Sequence, residues 1–207
     1  MRLKRLYLLI LLPPLLLGAA LTWLAASESG LRFLAAGAVA LSHGRLAIDG
    51  VAGSLLGPLR LRGLRLETED KRFELRDIHL DWSPRALRQR QLEIDRFELR
   101  ELRVTRLKPS PEPLRPPASL RLPLGLKLPS ARLQRLLIVA DGREWRFSGI
   151  EFALAKPAQT YRLDLRALAT PWGDLGGHAS LGEAAPFPLT AEIRFRHASG
   201  ELLARAA

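Results

Sequence analysis

The chain has 207 residues, 47% of them hydrophobic and 26% charged, which excludes wholesale disorder and gives length for one sizeable domain or two small ones. It contains no cysteine, which excludes disulfides, thiolate metal sites, a cysteine nucleophile and an N-terminal lipoprotein anchor. The net charge of +11 is carried almost wholly by arginine, interleaved with acids; alone it is no nucleic-acid signal, and it would also suit an anionic membrane surface.

The N-terminus predicts a membrane anchor. Arg2, Lys4 and Arg5 precede an uncharged run from Leu6 to Ala26, and as a helix those residues span about 31 Å, one hydrocarbon core. Leu6, Leu9, Leu12, Leu16 and Leu21 make its apolar body, and Trp23 stands near the distal end, where an interfacial aromatic is favoured. Pro13 and Pro14 kink such a helix without excluding it. A cleaved signal peptide, with Leu6 to Leu17 as its core and Gly18-Ala19-Ala20 as the processing site, is the competing reading. The apolar run continues past that site, which favours an anchor over residues 1–27. On either reading the basic start stays in the cytoplasm and the remainder is exported.

Residues 28–44 predict a short helix, capped by Ser29, running to Leu41 and ending near Gly44. It has little polar face, so it packs on the body or lies at the membrane; a plain connector is the alternative.

From residue 45 one rhythm recurs: two alternating apolar positions, a skipped beat, then two more. Leu59, Leu61, Leu64 and Leu66 carry it, then Phe73, Leu75, Ile78 and Leu80, then Leu92, Ile94, Phe97 and Leu99, extended by Leu102 and Val104. Trp145, Phe147, Ile150 and Phe152 repeat it, and Leu133, Leu136 and Ile138 fit with Ala131 in first place. On a helix these offsets fall on two opposed faces. On a strand each half is in phase with itself, and one extra residue in a β-bulge returns both halves to one face. The alternative is a tight hairpin at Arg62-Gly63, Arg76-Asp77, Asp95-Arg96 or Ser148-Gly149, which would leave strands of about three residues.

Residues 67–71 and Asp141-Gly142 read as hairpin turns. Ser83 as N-cap with Pro84 at the first helical position predicts a one-to-two-turn helix over 83–91. Residues 108–129 hold seven of the 15 prolines and read as an extended connector, not a central strand. It divides a first β unit, 45–107, from a second, 130–207, whose plainer strands carry Tyr161, Leu163, Leu165 and Leu189, Ala191, Ile193, Phe195. The second unit runs to GELLARAA with no closing element, as expected of the N-terminal portion of something longer.

Chemistry is hard to find. His43, His79, His178 and His197 are scattered, no metal-ligand spacing occurs, and no nucleophile-elbow, zincin or phosphate-loop motif is present. The glycines of 172–182 read as strand and turn glycines. Acids from Glu67 to Glu101 alternate with arginines as on the solvated face of a half-buried sheet. Nucleic-acid binding would want segregated bases and exposed aromatics, and the aromatics here fall in the apolar register. No catalytic residue, metal or cofactor is expected.

What remains is the apolar register itself, with few amphipathic helices to cover it. A sheet that curls on itself would leave a trough suited to acyl chains, where burial gains about 0.8 kcal/mol per methylene. The sixteen register positions from Leu59 to Leu99 and from Trp145 to Phe152 named above are its candidate lining.

The succession of an apolar anchor, SESGLRFL, LAIDGVAGSLLGPLRLRGLRLE and FELRDIHLDWSPRALRQRQLEIDRFELRELRV, then a proline-rich gap and a second β unit, resembles the N-terminal region of the TamB family, within the wider AsmA-like group. The resemblance implies a mainly β fold: a transmembrane helix followed by an elongated, antiparallel-type, taco-like sheet with a short helix between strands. It implies a protein of the bacterial inner membrane with its body in the periplasm, and with no catalytic motif in the residues it is expected to be non-enzymatic. The partners implied are phospholipid acyl chains and an outer-membrane assembly protein of the TamA type, engaged through a C-terminal region with no counterpart in these residues. The alternative reading is a periplasmic scaffold for outer-membrane protein insertion without a lipid path; an envelope hydrolase is a third.

Overall fold

The computed structural model describes residue 16, residues 18–108 and 120–197, and the backbone of 200–206. Two helices open the described chain, α1 (Gly18–Ala26) and α2 (Glu28–Leu41), meeting at 89°. Among the described residues no single helix is long and apolar enough to cross a membrane; by length and composition the bent pair passes that test together. Leu6, Leu9 and Leu12 of the expected anchor lie outside the described residues.

The cap of α2 is Ser27, not Ser29. Its backbone is extended (φ −106°, ψ 151°) and its hydroxyl accepts from the Gly30 N–H at 3.0 Å, as an N-cap side chain does. The bend there demands a glycine two residues after Glu28. A Cβ on Gly30 would overlap the Leu24 backbone, so no other residue fits the elbow without displacing α1.

Ten strands follow: β1 (Leu46–Gly53), β2 (Leu59–Glu67), β3 (Lys71–Trp82), β4 (Gln91–Arg106), β5 (Gly125–Ala140), β6 (Arg143–Lys156), β7 (Thr160–Thr170), β8 (Gly173–Gly182), β9 (Leu189–His197) and β10 (Gly200–Ala206). They form one sheet in chain order, and no pairing among the described residues joins β10 back to β1, so the sheet is open. Residues 67–71 and 141–142 make hairpin turns, the second with both Asp141 (φ 52°) and Gly142 (φ 74°) left-handed, the geometry that suits strand twist. Between β3 and β4 a 3-10 helix, Pro84–Gln89, carries proline at its start; the Ser83 hydroxyl does not cap it but donates to Asp95 Oδ2 at 2.8 Å.

Neighbours pair antiparallel with one exception. β4 and β5 are parallel, Gln91 beside Gly125 and Thr105 beside Val139. Parallel neighbours need a crossover of a dozen or more residues, and the proline-rich segment supplies it. The segment is shorter than expected, because residues 125–129 already belong to β5. Pro129 sits inside this central strand, which the composition argued against; a register shift between Leu128 and Ala131 makes the bulge at which a proline is tolerated.

The skipped beats are not hairpins: β2, β3, β4 and β6 run straight through them. Nor are most of them ordinary bulges. Asp49 pairs with Gly63 and Val51 with Leu61, with Gly50 and Arg62 facing each other unpaired and no slip in register. The same matched gap recurs at Arg62 and Asp77, Asp77 and Arg100, Arg100 and Gln134, and Gln134 and Gly149. One extra residue per strand therefore forms a continuous row across six strands. A bulge on one strand alone would throw its neighbour out of phase; a row lets all six change phase together. Gly50 (φ 59°), Asp77 (φ 52°) and Gly149 (φ 60°) take the left-handed conformation in this row, which glycine and aspartate accept more readily than branched residues. True register shifts occur at Asp95-Arg96, where Asp81 pairs with Arg96 but Trp82 with Ile94, and at the β6–β7–β8 boundary where the row ends.

Deleting Arg100 should turn Leu102 and Val104 to the polar face and abolish a cooperative urea transition followed by tryptophan fluorescence. Arg100→Ala, which keeps the count and loses only the exposed pair with Asp77 (3.0 Å), should cost less than about 1 kcal/mol. Equal effects of the two changes would refute the row as the determinant of phase.

Candidate functional site

The row brings four apolar tiers onto one face. Paired Cα positions run Leu59, Leu80, Phe97, Ala131, Phe152, Leu165 in one tier and Val51, Leu61, Ile78, Leu99, Leu133, Ile150 in the next. Beyond the row come Ile48, Leu64, Leu75, Leu102, Leu136, Phe147, then Leu46, Leu66, Phe73, Val104, Ile138, Trp145. Without the extra residue the last two tiers would stand on the opposite face.

Packing follows these tiers. Ile78, Leu99, Leu133 and Ile150 are the buried centre, Leu99 at 3% exposure, although among the described residues no second layer of secondary structure lies over them. Leu61, Leu64, Leu75, Phe97, Phe147 and Phe152 pack around them from both sides of the row. Exposure rises away from this centre, to 38% at Leu66 and 48% at Ile193. Leu59, Leu66, Phe73, Leu80 and Trp145 extend the tiers outward, and Leu92 and Ile94 stand toward the start of β4, opposite Leu126 and Trp82. The candidate lining omitted five members of the cluster, Leu102, Leu133, Leu136, Leu165 and Leu168. The first three sit in the rhythm and were legible; Leu165 and Leu168 stand either side of the β7 register shift, which breaks the pattern. Of the anchor positions that are described, Leu16, Leu21 and Trp23 are all more than half exposed.

The other face is a ladder of opposite charges. Glu101 lies between Arg76 (4.0 Å) and Arg135 (3.6 Å), Arg65 meets Glu74 at 3.2 Å, and Arg132 meets Glu151 at 2.8 Å. Each exposed pair contributes little singly, but opposite charges on facing strands fix which strand lies beside which. Hydrogen bonds from the bases hold the Arg72 guanidinium above its ordinary pKa through Glu67, Lys127 above its own through Glu93, and Glu144 below the usual carboxylate value through Arg146. His79 is exposed in a polar tier between Arg60 and Glu98, and His178 lies 3.9 Å from Glu192. Among the described residues no three His, Asp or Glu side chains come together to hold a metal.

One polar cluster interrupts the apolar face, at the end where β6 finishes. Lys156, opposite Leu126, is buried against Glu183 at 2.9 Å and donates to the Ala158 carbonyl at 3.0 Å. The Tyr161 ring lies beneath its ammonium, and the Tyr161 hydroxyl donates to the Leu120 carbonyl. The Leu120 N–H in turn donates to the Glu183 carbonyl at 3.0 Å, so residues leaving the proline-rich segment are tied down here.

Truncating the centre separates packing from exposure. Leu99→Ala should cost about 2–5 kcal/mol in urea unfolding, against under about 1 kcal/mol for Leu189→Ala at an exposed position. Lys156→Met alone should cost about 3–5 kcal/mol, and pairing it with Glu183→Leu should recover most of that loss, because a lone buried charge is worse than none. A double variant as unstable as the single one would show that the pair itself stabilises the fold.

No curated protein and no solved structure matches the chain. The family described as TamB, N-terminal domain, matches residues 16–190, which takes in α1, α2 and the sheet from β1 into β9. The chain therefore belongs to the TamB N-terminal domain family and is a protein of the TamB type.

Proposed function

We propose that this chain serves cell-envelope biogenesis as an anchored, non-enzymatic protein whose sheet curls into an apolar groove for phospholipid acyl chains. Its N-terminal segment holds it in the inner membrane in a single pass, and its body stands in the periplasm. The observation that carries the reading is the one-sided face: four apolar tiers across six strands, buried along one tier, with no second layer among the described residues set against them. A sheet that needed only a core would place helices or a second sheet there. An apolar trough walled by half-exposed leucines and phenylalanines offers an acyl chain the burial that water denies it, about 0.8 kcal/mol per methylene. The opposite face, with its paired charges, stays in water. The groove carries lipid between inner and outer membranes and supports outer-membrane protein assembly together with a partner of the TamA type. Family membership and the basic start before an apolar run favour this placement.

Photo-crosslinking amino acids at Leu64 and Phe97, on either side of the row, test the reading in cells. Phospholipid adducts at both positions, and none at Arg60 on the polar face, are the expected result. Adducts to protein alone would favour a scaffold for outer-membrane protein insertion and end the lipid reading.

A further inference from the structure

Helix α2 carries an apolar surface that the sheet does not use. Phe33 is 69% exposed, Leu41 81% and Leu34 40%. On a helical wheel, Ala40, Phe33, Gly37, Gly30, Leu41, Leu34 and Ala38 follow one another over an arc of about 160° that holds no polar side chain. Leu31, Ala35 and Val39, buried or half-buried, lie on the side turned to the body, and the charged residues of α2, Glu28 and Arg32, pair with each other on that same side.

We propose that α2 lies in the plane of the membrane surface, its Phe33–Leu34–Leu41 arc set among the acyl chains just below the head groups. Resting on the anchoring proposed above, this goes beyond it by assigning the bilayer as the partner of a second element. At about 21 Å the helix is too short to cross a hydrocarbon core of about 30 Å, so an exposed apolar arc of this length belongs at the interface.

Three features set it there. The elbow turns the chain through 89°, so a helix that leaves the bilayer along its normal continues parallel to the surface. The turn is built in: Ser27 N–H donates to the Trp23 carbonyl (3.0 Å), Leu31 N–H to the Ser27 carbonyl (3.1 Å), and Gly30 leaves no room for a side chain. Next to the elbow, Leu56 N–H donates to the Ala25 carbonyl (3.1 Å), which brings a further exposed leucine to the level of Trp23. Finally, Arg32 and Arg62 line a hollow of about 580 Å³ between α2 and β1 on the side of the helix turned away from the arc, so neither cation falls on the membrane-facing surface.

Because the chain has no cysteine, single-cysteine variants of the full chain can each carry one fluorophore. Phe33→Cys, Leu41→Cys, Ala35→Cys, Leu21→Cys and Arg60→Cys are labelled and reconstituted in vesicles of phosphatidylethanolamine and phosphatidylglycerol. Part of the lipid bears a nitroxide near the head-group end of its acyl chain. Labels at 33 and 41 should lose more than about half their emission, as a depth of 5–10 Å requires, while those at 35 and 60 keep theirs. Quenching at 33 and 41 no greater than at 60 overturns the proposal. So does protection of 33 and 41 from an aqueous quencher without lipid quenching, the mark of a protein or second copy on that arc. If Leu21 is quenched while 33 and 41 are not, only the interfacial helix fails; if none of the three is, the anchoring reading fails with it.

Discussion

The side-chain period of a strand is two, and the one-sided face of this sheet depends on a departure from that period shared along one row. A strict alternation over the sixteen residues of β4 would leave Leu99 and Leu102 on opposite faces. The single uncounted residue, Arg100, restores them to one face. What makes this workable is that five neighbouring strands carry the same extra residue at the same height. Register survives on both sides of the row, so a strand gives up pairing there at a single position to gain phase. The one-sided apolar face is therefore a collective property of the sheet.

That face explains why charge and hydrophobicity are both high in one layer. The apolar tiers exclude water from each other, and the polar tiers hold water through arginine and carboxylate pairs such as Arg132–Glu151 and Arg65–Glu74. Among the described residues an ion pair is buried on the apolar side at its end, where Lys156 and Glu183 are enclosed by Tyr161 and Leu120. There each charge is buried against its opposite, Lys156 against Glu183 at 2.9 Å, as burial of charge requires. The same cluster ties the chain leaving the proline-rich segment to β7 and β8, far along the sheet from where β4 ended.

Much of this was legible in the residues. The rhythm of Leu59, Leu61, Leu64 and Leu66 revealed long strands with one skip, the Asp141-Gly142 dipeptide a tight hairpin, and Pro84 a short helix, because each rests on local sterics. Illegible were features set by neighbours in space. That the skips at Arg62, Asp77 and Gly149 cancel in register cannot be seen from one strand, since a lone strand with an extra residue reads as bulged. Pro129 argued for a loop, and only the register shift beside it lets a central strand contain it. Ser29 and Ser27 are equally good caps by type; the bend at Gly30 decides between them. The candidate lining suffered in the same way, losing Leu165 and Leu168 where β7 changes phase.

The row stops at β7, and the character of the sheet changes there. Along the tier that starts at Leu59, Leu165 faces Gly177, which in turn faces Ile193. A Cβ on Gly177 would meet the Glu192 backbone, so the glycine is required by the close approach of β9 and cannot be exchanged for a packing side chain. Apolar contact therefore thins beyond β7 while backbone pairing continues, with Leu189 and Ile193 about half exposed. Where few side chains lock a strand to its neighbours, local opening costs less than global unfolding. The strands from β3 to β6 therefore hold the apolar centre of the face, and β8 and β9 are joined to it mainly by backbone pairing.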